Sequence, residues 1–143
     1  MPEALVKPRS LVLGSTSLYR RELLDRLGLP FEVAAPLVDE TPQPGETPPV
    51  LARRLALAKA LAVAGRFPDA IVIGSDQVAD LDGEALGKPG DHARATDQLR
   101  RMRGKTVVFH TALAVVCLAT AFRQEDLAPV RVTFRMLSDA EIE

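Results

Sequence analysis

Cysteine is nearly absent from this chain, and so is histidine. Cys117 stands alone, which excludes an internal disulfide framework and a cysteine-based zinc site. It lies inside the apolar run 112–118, where a small core residue is expected. The two histidines, His92 and His110, fall in a helix start and in a strand pattern, so no histidine metal site is read. Tryptophan is missing and Tyr19 is the single tyrosine. Charge of one sign is also lacking. The formal net charge is -1, so no global basic field points to nucleic acid or to an anionic membrane. No apolar run is long enough to span a bilayer. Pro2, Glu3, Lys7, Pro8 and Arg9 break up any leader-like apolar segment at the start. A cytoplasmic protein with no membrane partner is the expectation. No internal repeat is visible.

What is present fits one ordinary domain. The 143 residues are the size of a single unit with a core of its own. Hydrophobic residues make up 47% and charged residues 26%, a usual globular balance.

Ile71-Val72-Ile73 is a β-branched run suited to a strand covered on both faces. Gly74 then permits a turn or a close approach. Ser75, Asp76 and Gln77 follow, as polar residues at the carboxyl end of that strand. In open α/β sheets ligands bind there.

Leu11-Val12-Leu13 predicts a first strand, and Gly14-Ser15-Thr16-Ser17 a hydroxyl-rich turn. Ser17 or Thr16 can cap the next helix. Leu23, Leu24 and Leu27 form its apolar stripe, and Gly28 with Pro30 stops it. Arg20 falls on the same inward stripe, in the first turn, where the helix dipole disfavours a cation. An anion held by backbone N–H groups, the hydroxyls and Arg20 would resolve this. A salt bridge to a nearby carboxylate is the competing reading.

Residues 31–35 alternate as a second strand. Residues 36–49 form a proline-rich loop with the acidic pair Asp39-Glu40, a solvated turn on sequence physics alone. Thr47 caps a helix with Pro48 at its first position. Leu51, Leu55, Ala58 and Ala62 define its buried face, and Lys59 lies on the border, able to reach a cleft. Gly65 ends this helix.

Leu81-Asp82-Gly83, between residues 78–80 and 84–86, is a hairpin signal. Gly87-Lys88-Pro89-Gly90 holds Lys88 in a stiff turn. Asp91 caps a third helix with Ala95, Leu99 and Met102 on one side and solvated arginines on the other. Residues 106–118 and 130–136 predict two antiparallel strands joined by a loop around 124–129. Ser138-Asp139-Ala140-Glu141 is a capping box, yet only two residues follow it. The chain is therefore expected to be cut short or naturally truncated, its domain incomplete at the C-terminal end.

Assembled, these segments resemble the Maf family of nucleotide pyrophosphatases. The opening segment Gly14-Ser15-Thr16-Ser17-Leu18-Tyr19-Arg20-Arg21 is similar to that family's Ser-x-Ser-Pro-x-Arg-Arg. Val38-Asp39-Glu40-Thr41, Leu55-Ala56-Leu57-Ala58-Lys59-Ala60, Gly74-Ser75-Asp76-Gln77-Val78, Leu81-Asp82-Gly83 and Gly87-Lys88-Pro89 continue the pattern in order. The resemblance implies an α/β fold of the inosine triphosphatase-like kind. It would be a two-lobed mixed sheet with flanking helices and a central cleft, in a single domain over residues 1–143. It also implies hydrolysis of nucleoside triphosphates to monophosphate and pyrophosphate with a divalent cation, Mg²⁺ or Mn²⁺.

Tyr19 and Gln77 resemble the branch acting on 7-methyl-GTP, which carries an aromatic residue and Ser-Asp-Gln at these places. A cationic 7-methylguanine ring suits an aromatic face, and Gln77 offers both a donor and an acceptor to a base edge. On this resemblance Ser15, Arg20, Lys59 and Lys88 bind phosphates. Asp76 is the general base, or the carboxylate that places a metal-bound water. Glu40 shares the metal or positions that water.

Leu18, Tyr19 and Ala112 depart from the family pattern. The rival expectations are a dTTP/UTP pyrophosphatase, a catalytically inactive nucleotide-binding regulator of cell division, and a nucleic-acid binder using arginines 94–103. Homodimerisation is compatible with the family.

Overall fold

Two parallel crossovers followed by an antiparallel meander build the molecule. The computed structural model describes residues 9–86 and 92–134. The strands are β1 (Leu11–Gly14), β2 (Glu32–Ala34), β3 (Ile71–Leu81), β4 (Glu84–Leu86), β5 (Thr106–Cys117) and β6 (Phe122–Thr133). The helices are α1 (Leu18–Asp25), α2 (Pro48–Ala64) and α3 (His92–Met102). The mixed sheet runs β2-β1-β3-β5-β6, with β4 paired to β3. β1 is parallel to β2 and β3, whereas β3, β4, β5 and β6 pair antiparallel. This is the expected α/β sheet with flanking helices.

Helix α2 covers one face of the sheet. Its Leu51, Leu55, Ala56, Ala60 and Val63 pack with Val72, Val78, Ala112, Ala114 and Val116 in the larger core. Small residues on α2 let the helix sit close to the strands. A Cβ on Gly74 would fall 2.5 Å from the Ala60 nitrogen and closer still to the Ala56 carbonyl oxygen. Only glycine permits that approach. A second cluster, Leu81, Met102 and Val107, lies where α3 meets the other face.

Several local expectations hold. Ser17 is the N-cap of α1, and its hydroxyl accepts the Arg20 N–H at 3.3 Å. Asp82 and Gly83 make the hairpin turn with φ of 51° and 89°, the positive values such a turn requires. Cys117 is buried in the core, 2% exposed.

Others are corrected. β3 does not end at Ile73 but continues to Leu81, because β5 supplies an unbroken antiparallel partner from Val116 to Val108. Ser75, Asp76 and Gln77 are thus mid-strand residues rather than loop residues. β6 begins at Phe122, so residues 124–129 are strand. The reversal is made by the 3₁₀ turn Leu118–Thr120 with Ala121 at φ 55°. The buried face of α2 is centred on Ala56, Ala60 and Val63 instead of Ala58 and Ala62, since Gly74 draws that side of the helix onto the sheet. Thr47 is the N-cap of α2 with Pro48 at its first position, as expected, and it caps through its backbone carbonyl (Leu51 N at 2.9 Å) with no side-chain bond. Of the α1 stripe only Leu24 is buried, while Leu23 is 40% and Leu27 66% exposed. Asp91 and the 138–141 capping box lie outside the described residues.

Candidate active site

Successive side chains on a strand point to opposite faces, and β3 uses both. Ser75 and Gln77 line an open cleft of about 990 Å³ with Ser15, Tyr19, Arg20, Glu40, Lys59 and Thr111 among its walls. Asp76 points the other way, toward α2, and meets Lys59. It is 7% exposed.

Lys59 joins two carboxylates. Its Nζ lies 2.7 Å from Glu40 Oε1 and 2.9 Å from Asp76 Oδ1. The lysine and Asp76 side chains are mostly buried, at 13% and 10% exposure, whereas Glu40 is 56% exposed at the cleft rim. Burial pushes the Asp76 carboxyl above the usual aspartate range, Lys59 pulls it back, and Glu40 adds to the upward push. Burial disfavours the Lys59 ammonium, but the hydrogen bonds it donates to Glu40 and Asp76 outweigh that and hold its pKa above the ordinary lysine value. The cluster therefore keeps one firm cation between two carboxylates of unequal exposure.

The acidic loop is held by a second ion pair that sequence reasoning missed. Arg54, on α2, grips Glu46 through Nε at 2.6 Å and Nη2 at 3.0 Å, and Nη2 also donates to the Thr41 carbonyl at 3.1 Å. Arg54 and the Gln43 N–H hold the Glu46 carboxyl below the usual glutamate range. This bidentate latch fixes the loop against α2, and with it Glu40 beside Lys59. Glu40 is thus not the free solvated turn that sequence physics favoured. No short-range spacing announces the latch, because its partners lie on different elements.

The hydroxyl turn is partly occupied by its own backbone. Ser15 Oγ accepts the Ser17 N–H at 3.0 Å, and Ser17 Oγ accepts the Arg20 N–H. Ser15 is 4% exposed yet forms part of the cleft wall, as does Arg20 on the first turn of α1. Tyr19 is 68% exposed, leaving its ring face accessible. Gln77 Nε2 donates to Thr111 Oγ1 at 3.1 Å. Lys88 lies outside the described residues. The structure brings together Ser15, Tyr19, Arg20, Glu40, Lys59, Asp76 and Gln77, from four separate segments.

His110 and Asp80 form a further pair on the α2 side of the sheet. His110 Nε2 is 2.9 Å from Asp80 Oδ2, and Asp80 Oδ1 accepts the Gly83 N–H at 2.7 Å. Asp80 thereby ties the hairpin turn to β5.

Among the described residues no three side chains of His, Cys, Asp or Glu gather into a closed metal cage. Glu40 and Asp76 do converge on one cation, the Lys59 ammonium. Their carboxylates are hard oxygen donors of the kind Mg²⁺ takes one or two at a time, and in this structure the Lys59 ammonium stands between them. No helix among the described residues is long and apolar enough to cross a membrane.

Comparison with known proteins places the chain in a family. The family profile described as Maf-like protein matches residues 10–143. A Polaromonas sp. (strain JS666 / ATCC BAA-500) protein named 7-methyl-GTP pyrophosphatase is 73% identical over 135 residues, covering 94% of this chain and 62% of its own length. A protein of the same name from Albidiferax ferrireducens is 69% identical over 135 residues, with 94% and 68% covered. One from Aromatoleum aromaticum is 63% identical over 132 residues, with 92% and 68% covered. The chain thus spans 62% to 68% of the length of these relatives. A match that runs through β1, the acidic loop, α2 and β3 takes in every described residue of the cleft, and the chain belongs to the Maf-like protein family.

Proposed function

We propose that this chain carries the active cleft of a nucleoside triphosphate pyrophosphatase that hydrolyses 7-methyl-GTP to 7-methyl-GMP and pyrophosphate. One observation carries the reading. A single cleft joins an exposed aromatic ring and an amide, Tyr19 and Gln77, to the cations Arg20 and Lys59 and the carboxylate Glu40. The names of the similar proteins support it.

The residues divide the work. Arg20, Lys59 and Ser15 bind the phosphate chain from the cleft wall, and Lys88 joins them on the family resemblance alone. Tyr19 stacks on the cationic 7-methylguanine ring, and Gln77 reads its edge. Water attacks the α-phosphorus and its proton passes to the Asp76 carboxylate. The bond from that phosphorus to the bridging oxygen breaks, and pyrophosphate leaves. Burial raises the Asp76 pKa above the ordinary aspartate value, the direction that makes its carboxylate a stronger base. Glu40 and Asp76 would hold a divalent cation, Mg²⁺ or Mn²⁺, which when bound supplies charge neutralisation to the phosphates. A cytoplasmic location and a homodimer complete the proposal, the latter checked by sedimentation.

The test is pyrophosphate release with Mg²⁺ or Mn²⁺, comparing 7-methyl-GTP, GTP, dTTP and UTP. Preferential turnover of 7-methyl-GTP is expected. Preference for dTTP or UTP would overturn the substrate and keep the reaction. Nucleotide binding without turnover by the full-length protein would overturn the enzyme and leave a binding regulator.

A further inference from the structure

The row of β5 on the face away from α2 reads Val107, Phe109, Thr111, Leu113 and Val115, and of these Thr111 and Leu113 line the cleft. Thr111 is the one polar side chain in it. Valine has the same shape and an equal liking for strands, so packing alone does not call for a hydroxyl here. Directly opposite on β3 stands Gln77, the one amide in its own row, and the register pairs the two. Gln77 Nε2 donates to Thr111 Oγ1 at 3.1 Å.

A glutamine amide has two faces of opposite meaning. Its NH₂ only donates and its carbonyl only accepts. A side chain free to flip offers a ligand either one. Anchoring Nε2 on Thr111 turns the carbonyl oxygen away from β5. The flipped amide would instead take the Thr111 hydroxyl proton on its oxygen and offer NH₂ to the ligand. The choice between them decides which base edges are accepted.

The geometry points to Thr111 as a positioning residue for specificity: it holds the Gln77 amide with its carbonyl oxygen toward the ligand, selecting bases that present N–H donors. A purine with N1–H and an exocyclic 2-amine meets that acceptor. A base presenting a bare ring nitrogen at the same place leaves two acceptors face to face, which costs more than a missing bond. This inference deepens the proposed reading of the cleft and rests on it.

The experiment compares native full-length protein with Thr111→Val and Thr111→Ser, by steady-state kinetics on 7-methyl-GTP and by the Gln77 side-chain amide signals in ¹⁵N-resolved NMR. In Thr111→Val, KM is expected to rise about five- to tenfold, the worth of one hydrogen bond, while kcat changes far less. Thr111→Ser restores KM to near the native value. One Gln77 amide proton is expected at a hydrogen-bonded shift in native and Thr111→Ser protein, and at the solvated shift in Thr111→Val. An unchanged KM in Thr111→Val, or a Thr111→Ser variant as impaired as Thr111→Val, overturns the role. A solvated Gln77 signal in the native protein overturns it whatever the substrate. A hydrogen-bonded signal in a native protein that ignores 7-methyl-GTP strikes the substrate reading and supports the clamp itself.

Discussion

The two faces of the β3–β5 pair differ in almost every physical respect. Toward α2, Val72, Ala112, Ala114 and Val116 are all at most 2% exposed, and a helix backbone presses on Gly74. Toward the cleft, Leu113 is 41% exposed and Gln77 is open to solvent. The closed face buries apolar area and supplies stability. Around Gln77 and Leu113 the open face has given up that burial, while farther along it Leu81 and Val107 are buried against α3, and the open stretch is where polar groups can meet a ligand. One residue crosses the division. Asp76 sits on the closed face, yet Lys59 links it to Glu40 at the cleft rim. A titratable carboxylate has thus been placed in the low-dielectric half, where burial raises its pKa.

Substitutions test how real that division is. The largest expected effect is on Asp76. Asp76→Asn should lower kcat by about 10²- to 10⁴-fold, read as pyrophosphate release by the full-length protein. Near-native turnover would make the closed face purely structural. Next is Gly74→Val, which drives side-chain atoms into the α2 backbone. A loss of about 3 kcal/mol or more is expected in urea unfolding, and a smaller loss would mean α2 can retreat. Val72→Ala leaves a cavity between sheet and helix and should cost about 2 kcal/mol in the same assay.

Glu46→Gln weakens the Arg54 latch. Glu46 titrates below its ordinary range in the folded protein, so its contribution is full above the unfolded value and fades as pH falls through the folded one. The variant should therefore be less stable than native protein at neutral pH. The gap in thermal midpoint should close as pH drops into the acid range, and a pH-independent gap would deny the pair this role. Activity should fall too, because Glu40 loses its fixed place. The smallest effect belongs to Leu113→Ala on the open face, within about 0.5 kcal/mol of native stability. A cost equal to that of Val72→Ala would erase the contrast between the faces.

Much of this was legible in the residues themselves. Asp82-Gly83 demanded positive φ and made the hairpin, and Ser17 capped α1. Leu11-Val12-Leu13 and Ile71-Val72-Ile73 became neighbouring parallel strands. The order of the short motifs was enough to mark the family. Where β3 ends was not legible, because Ser75, Asp76 and Gln77 look like loop until β5 arrives to pair with them. The rotation of α2 was hidden for the same reason, since it depends on one glycine in another element.

The sequence by itself determined the local turns, the caps, the alternation of elements and the residue types the cleft would need. These follow from backbone preferences and side-chain chemistry that act over a few residues. Only the tertiary structure decided which carboxylates share Lys59, that Arg54 pins the acidic loop, and that Gln77 stands across from Thr111. Each of those contacts joins segments 8 to 34 residues apart. Such contacts exist only after strand register and helix packing have brought the segments together, and no local preference encodes that.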